Sequence, residues 1–508
     1  MKPTIIKRKN GRLRILSLCF LFILSACIVS GQKRHNGKIS NSTIEVYVSS
    51  EAGDRLSRRK DGFFTNGHRP RIPTIIVQDD TLYQRIEGFG ATFNEAGLIC
   101  LNDLSPNNQQ KVLASLFDSV KGAGFTFMKS PVAACDFASA GPWYSYDDHP
   151  GDTLMKYFSI QRDIGPNGLI TFIKKASAFG RFRIESPMDF APDWMYFSLK
   201  PGEKNIQPKY YRALALYYSK FLQAYEGQGV HIDFLNLFNE ADNEWYSNET
   251  YKEIGEMIKG YVGPQLRTDG LNTQIQFGET ANRPEAIQKF ASALDDPELR
   301  PYIHSLTVHG YDWNKFSTLT ELHKRYPQLP IYQTEVCYAK PNNIPPGGPH
   351  QLPVYAFSDG SFWGNMIIND LKNWASGWIY WNMILDQNGG PWLVSPEHGD
   401  PDHNQQHPVV IIDRKNKKVH YTGLYYYLAH FSRFIRPGAY RIASTGDNAQ
   451  LNAIAVKNAD GSIILNIINN GAAMNCRVSW KNEFSVQRLP AHSITTLKWK
   501  DYSALRSK

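Results

Sequence analysis

The chain has 508 residues, 42% of them hydrophobic and 20% charged, which suits a folded body too long for one small domain: a barrel of roughly 300 residues plus a smaller unit. Its formal charge of +9 includes six basic residues near the start (Lys2, Lys7, Arg8, Lys9, Arg12 and Arg14) with no acidic residue among them, and falls to +3 without that leader. So small an excess, scattered in runs such as Arg58-Arg59-Lys60, argues against nucleic acid as a partner.

Residues 1–14 are basic and residues 15–26 almost wholly apolar, the plan of a signal peptide and too short for a good membrane-spanning helix. The run ends Leu24-Ser25-Ala26-Cys27, which resembles a bacterial lipobox. Residues 1–27 are therefore expected to be a lipoprotein signal peptide with Cys27 as the point of lipid attachment. Residues 28–41 would be a polar tether. That arrangement implies an exported protein anchored through lipid to a bacterial membrane, periplasmic or cell-surface. The body has four more cysteines, Cys100, Cys135, Cys337 and Cys476. They form no CxxC pair and no tight Cys/His cluster, so neither a structural zinc site nor a disulfide framework is expected. Buried free thiols are the default, with a single bridge left open.

Residues 42–50 and 72–77 alternate like strands and precede any barrel pattern. Segment 42–83 is expected to give the first strands of a β-sandwich whose other strands come from the C-terminus. Gly88-Phe89-Gly90-Ala91 opens the barrel region, with small residues that let backbones approach closely. Ser105-Pro106 starts a helix reaching Phe117. Residues 125–130 read as a strand, and the exit loop after them carries Asp136, which either holds a substrate hydroxyl or caps a turn. Residues 141–163 form a rim loop. Strand 182–187 leads to Met188, helix 210–225 follows, and then comes the central run Asp233-Phe234-Leu235-Asn236-Leu237-Phe238-Asn239-Glu240, an apolar strand ending on an amide and a carboxylate. Strand 273–277 ends on Gly278-Glu279, a rival carboxylate; Thr307-Val308 ends on His309-Gly310-Tyr311; Ile331-Tyr332-Gln333-Thr334 ends on Glu335; and 375–381 ends on Trp381-Asn382. Polar residues at successive strand exits point to an α/β architecture, a (β/α)8 TIM barrel over 84–420 with its site at that face. After a helix near 421–433 the period changes to short strands, so 421–508 is expected to be the final helix and the attached all-β sandwich domain.

Two facing carboxylates are the equipment of a retaining glycosidase. Glu240 and Glu335 form the candidate pair, one as acid/base and one as nucleophile. Asn239 is placed to reach a sugar 2-hydroxyl and Tyr311 to donate to the nucleophile; His309 also faces the pocket. The plainer reading makes each Glu a cap or surface residue.

Glu87-Gly88-Phe89-Gly90, Asp136-Phe137, Asn239-Glu240, His309-x-Tyr311, Glu335 and Gly377-Trp378-Ile379-Tyr380-Trp381-Asn382, in that order and spacing, resemble glycoside hydrolase family 30, the glucosylceramidase-like family, over roughly residues 83–500. The resemblance implies a barrel joined to a sandwich built from both chain ends, and retention of anomeric configuration. It makes Glu240 the acid/base and Glu335 the nucleophile, with Asp136, Asn239, Tyr311 and Trp381 lining the subsite of the cleaved sugar. The chain departs from the family at three places. Ala241 stands where a proline usually follows the acid. Met188 stands where a pocket tryptophan is usual. The segment Phe127-Met128-Lys129-Ser130-Pro131 lacks the arginine that helps hold the nucleophile region. The expected activity is a retaining β-glycosidase acting on β-linked glucosides or related glycans by double displacement, with no cofactor or metal and no obligate protein partner. Alternatives are an endo-β-1,6-glucanase, a β-fucosidase or β-xylosidase of the same family, and a non-catalytic carbohydrate-binding surface protein.

Overall fold

A computed structural model describes residues 39–138, 143–241, 243, 246–340, 343–391 and 405–501. The leader, Cys27 and most of the tether lie outside the described residues. Eight parallel strands close into a barrel: β1 (Gly88–Thr92), β2 (Phe127–Lys129), β3 (Arg183–Ser186), β4 (Phe234–Leu235), β5 (Gln274–Thr280), β6 (Ile303–His309), β7 (Ile331–Glu335) and β8 (Ala375–Asn382). Their order round the barrel follows the chain, and β8 pairs with β1. The barrel and its attached β-sandwich are the architecture that the strand exits imply.

The strands are shorter than their apolar runs. The central run contributes only two residues to a ladder, although beyond them Asn236 N–H still donates to the Ser186 carbonyl (3.1 Å) and Asn239 N–H to the Met188 carbonyl (2.8 Å). Gly90 shows how tightly β1 and β2 meet: a Cβ there would fall 2.1 Å from the Phe127 carbonyl oxygen. Inside, Phe127, Phe234, Tyr332 and Ile379 form a buried plug, with the Phe127 and Tyr332 ring centroids 5.2 Å apart. At the strand N-termini, Arg183 ties β3 to Glu87 (2.6 Å) and Asp233 (2.9 Å). The plug and this ion-pair cluster close one end of the barrel, leaving the C-terminal end for polar side chains.

The ten-stranded sheet of the second unit takes Ile39–Ser50, Ser57–Arg58, Gly62–Thr65 and Thr74–Arg85 from before the barrel and six strands from Tyr440 onward. Ile39–Ser50 pairs antiparallel with Ser493–Lys500. Thr74–Arg85 lies between Tyr440–Gly446 and Met474–Trp480. Gly62–Thr65 pairs with both Ile39–Ser50 and Glu483–Leu489, so the sheet folds round a core containing Phe64, Trp480 and Trp499. Strands Tyr440–Gly446 and Glu483–Leu489, and helices Arg283–Leu294 and Ser317–Arg325, were not singled out by hydrophobic pattern. One helical stretch is composite: Tyr251–Met257 runs through a π-helical turn, Ile258–Val262, into Gly263–Thr268. All four body cysteines are buried and unpaired. Among the described residues, no helix is long and apolar enough to cross a membrane.

Candidate active site

Every candidate side chain at the C-terminal mouth arrives on a strand end or on the loop that follows it. Lys129 ends β2, His309 ends β6, Glu335 ends β7, and Asn239-Glu240 leave β4. Two irregularities of register aim these groups. Between β5 and β6, Gly278 pairs with Thr307 and Thr280 with Val308, so Glu279 is an extra residue. Between β6 and β7, Val308 pairs with Gln333 and His309 with Glu335, so Thr334 is extra. Strict alternation would send Thr334 and Glu335 to opposite faces. The bulge instead brings both inward: Thr334 Oγ1 donates to Glu279 Oε1 (2.5 Å), while Glu335 faces Lys129. Backbone strain collects here too, since Glu240 (φ 40°) and Glu279 (φ 62°) are both left-handed.

Lys129 is the hub. Its ammonium is fully buried and donates to Glu279 Oε2 (2.7 Å), Glu335 Oε2 (2.8 Å) and Asn239 Oδ1 (3.2 Å). It also lies 5.6 Å from the Trp381 ring centroid. Burial works against its charge, but Glu279 and Glu335 outweigh that and hold it well above the usual lysine range. His309 is the second cation. Burial would lower its pKa, yet Glu335 and Glu279 raise it to about 10. As an imidazolium it donates from Nδ1 to Glu240 Oε1 (2.9 Å) and from Nε2 to Glu279 Oε2 (3.1 Å). Glu279, with no exposed surface, would be pushed up by burial; Lys129 and His309 reverse this and hold it well below the carboxylate range. It is a fixed anion between two fixed cations.

Glu335 accepts from Lys129 through Oε2 and from the Tyr311 hydroxyl through Oε1 (2.8 Å). Glu240 accepts from His309 through Oε1 and from Asn243 Nδ2 through Oε2 (2.7 Å), and its backbone N–H donates to the Glu279 carbonyl (3.0 Å). One oxygen of Glu240, one of Glu335 and one ring nitrogen of His309 lie within 4.8 Å of one another. Two carboxyl groups this close, both opening on the barrel mouth, can reach the two sides of one glycosidic carbon.

Most of the residues expected from sequence meet here: Glu240, Glu335, Asn239, His309, Tyr311 and Trp381. Asp136 stands on the neighbouring β2 exit loop. Met188 is placed differently. Its side chain is fully buried, with the sulfur 3.6 Å from the Tyr218 hydroxyl on helix Tyr211–Gly227. Tyr218 in turn donates to the Leu237 carbonyl, so Met188 packs against the outer helix. The next residue, Asp189, lies beside Asp136 and Cys135. Lys129, Asp189 and the anchoring role of Glu279 were not read from the sequence. A lysine closing an apolar strand was the available signal for the first, and Gly278-Glu279 for the last.

Two groups of buried donors are close enough to share an ion: Glu240, His309 and Glu335, and Cys135, Asp136 and Asp189. In the first, both ring nitrogens of His309 are already engaged with Glu240 and Glu279. In the second, burial pushes the Cys135 thiol well above its usual range.

The profile described as "Glycosyl hydrolase family 30 TIM-barrel domain" matches residues 86–435, and that of the "Glycosyl hydrolase family 30 beta sandwich domain" matches residues 438–497. The chain belongs to glycosyl hydrolase family 30. Family 30 membership makes it a glycoside hydrolase by descent. Among curated relatives, it is 28% identical to an endo-1,6-β-D-glucanase of Neurospora crassa over 407 residues (76% of this chain, 79% of that one). It is 25% identical to the lysosomal acid glucosylceramidase of Mus musculus over 450 residues (85% and 83%). Among solved structures, SrfJ from Salmonella typhimurium superposes with a TM-score of 0.81 at 22% identity, covering 90% of this chain and all of that one. At such identity the superposition speaks for the family 30 fold alone.

Proposed function

We propose that this family 30 chain is a retaining β-glycosidase that cleaves β-linked glucosides or related glycans. The closeness of the pair, with one oxygen of Glu240 within 4.8 Å of one of Glu335, carries this reading, since inverting enzymes keep their carboxyls about 6.5–9.5 Å apart to admit a water. Glu335 attacks the anomeric carbon while Glu240 gives a proton to the leaving oxygen, forming a glycosyl ester on Glu335. Glu240 then takes a proton from water, which attacks the same carbon, releases the sugar and restores both groups. Lys129 and Tyr311, donating to its two oxygens, orient Glu335 for the first step. With its Oδ1 held by Lys129, Asn239 keeps its amide nitrogen for the sugar 2-hydroxyl. The accepting contacts of both Glu240 oxygens are those of the base form; in the acid form the Asn243 amide turns over, so that its oxygen receives the proton.

The curated relatives named above act on β-linked glucose, in a ceramide glycoside or in a β-1,6-glucan, which supports glucose as the preferred ring. The relative from Neurospora crassa favours an endo-β-1,6-glucanase as the second reading. Export and anchoring at Cys27 are part of the proposal, resting on the leader pattern.

The test uses the chain without residues 1–27 on aryl β-D-glucoside, fucoside, galactoside and xyloside and on β-1,6-glucan. At least one is turned over, and Glu335→Ala abolishes turnover while remaining folded. Equal rates in the two proteins contradict the assignment. Glucose alone released from the glucan marks exo action, and oligosaccharides mark endo action.

A further inference from the structure

The reaction described above makes no use of Asp189. Asp189 follows Met188 on the loop leaving β3, is 1% exposed, and has no hydrogen-bond partner on either carboxyl oxygen among the described residues. Asp136, 6% exposed on the loop leaving β2, likewise has Oδ1 unpartnered. One oxygen of each lies with Cys135 Sγ within 4.8 Å. Leaving such a buried polar group unsatisfied is costly. The nearby cation, Lys129, is already shared among Glu279, Glu335 and Asn239.

The backbone fixes where the pair sits. Val132 N–H donates to the Pro187 carbonyl (2.8 Å), and Asn239 N–H donates to the Met188 carbonyl (2.8 Å). The β2 and β3 loops are thus joined to each other and to the residue before Glu240. Burial first, then for Asp136 the adjoining Asp189, and for both Glu335 and Glu240, push these carboxyls well above their usual range. A carboxyl pair holding a proton offers an O–H donor beside several acceptors, which is what two neighbouring sugar hydroxyls require. An apolar wall adjoins it: Phe190 stacks on Trp143 with centroids 3.9 Å apart, and Tyr246 lies 5.4 Å from Phe190.

We propose that Asp189 is a specificity-determining residue which, with Asp136, grips two neighbouring hydroxyls of an uncharged sugar ring beside the Glu240–Glu335 pair. A uronic acid or sulfated sugar is refused, because it would bring a further anion to four carboxyl groups. The inference rests on the hydrolase reading only for the position of the ring; binding can be measured without turnover.

Full-length chain carrying Glu335→Gln binds glycosides without consuming them. Calorimetric titration with phenyl β-D-glucoside, galactoside, fucoside and xyloside identifies the ring taken, and its 3-, 4- and 6-deoxy analogues identify the hydroxyls gripped. At least one deletion weakens binding by about 100-fold or more, as expected where buried polar groups lose their partner. Adding Asp189→Ala weakens the parent glycoside by about tenfold or more and shrinks that deletion penalty to about tenfold or less, whereas Asp189→Asn stays within about tenfold of the parent protein. The phenyl β-glucuronide binds about 100-fold more weakly than the neutral ring. Because Asp189 is unpaired, Asp189→Ala melts no lower than its parent. Deletion penalties unchanged by Asp189→Ala, tight glucuronide binding, no binding of any neutral ring, or a lowered Tm would each overturn the proposal. Failure of the hydrolase reading shows separately, as a wild-type chain that binds in this pattern and turns nothing over.

Discussion

Lys129 shows how much one side chain settles at this site. A single ammonium neutralises part of the charge of two buried glutamates and orients the amide of Asn239, next to Glu240. Removing one partner from a buried ion network leaves uncompensated charge, at a cost of about 3–5 kcal/mol. Lys129→Met keeps the volume and removes the charge. Glu335 then loses a donor and stands near Glu279 without the cation between them. The expected result is a fall of about 10²–10³ in kcat/KM on the best aryl glycoside, together with lower resistance to urea. Activity within fivefold of wild type would remove Lys129 from the account. The residue also marks a limit of sequence reading. The resemblance implies an arginine in this segment, which the chain lacks; the structure shows Lys129 reaching Glu279 and Glu335 from the end of a three-residue strand. Asp189 carries no sequence signal, since it follows Met188 in a loop without periodic pattern. Glu240 and Glu335 were legible because each ends an apolar run at a strand exit.

At the scale of elements, two bulges convert ladders into a site. Neither is visible in hydrophobic pattern, which reports a period and not a slip of register. Gly278-Glu279 carried a signal all the same. Gly278 has φ 147°, and a Cβ there would fall 2.0 Å from the Thr307 carbonyl oxygen. Gly278→Ala must therefore displace β6 or flatten the bulge that presents Glu279. Overpacking of this kind costs about 1–3 kcal/mol. Because Glu279 holds both Lys129 and His309, kcat should fall by about tenfold or more in addition. Urea denaturation and steady-state kinetics on the same preparation check this. A variant with lowered stability and unchanged kcat would show that the bulge serves packing alone. The barrel was legible from the order of strand exits, but the lengths of β2 and β4 were not, since rim segments are as apolar as the strands they continue.

Across the whole molecule, the two chain ends meet in one sheet, and the barrel's last helix, Gly423–Ser432, is fastened to it. His430 on that helix bridges Ser49 Oγ (2.9 Å) and Thr496 Oγ1 (2.7 Å), one from each end of the chain. Thr496 donates to Asn466, so Nδ1 of His430 carries the proton and Nε2 accepts from Ser49. Burial, helped by Arg433, pushes His430 down to about 3, from 6.5 in an unfolded chain. The folded form binds its proton later than the unfolded form. The stability contributed by neutral His430 is therefore full above pH 6.5 and is lost as pH falls toward 3. Substituting His430→Gln should lower the unfolding free energy most above pH 6.5, by about 1–3 kcal/mol, with the difference from wild type shrinking toward pH 3. Tryptophan fluorescence in urea across that range reads it. A difference that is constant with pH would deny His430 this role. Sequence pattern had assigned 42–83 to the sandwich because those strands precede the barrel and need a partner; the histidine that joins both ends to the barrel helix gave no such sign.

The most direct test of the central claim is the configuration of the first product. Proton NMR during hydrolysis of the best aryl β-glycoside should show the β-anomer of the released sugar first, with the α-anomer growing in only by mutarotation. Appearance of the α-anomer first would mean that a water attacks from the side assigned to Glu335, and would contradict the pairing of Glu240 and Glu335 as acid/base and nucleophile.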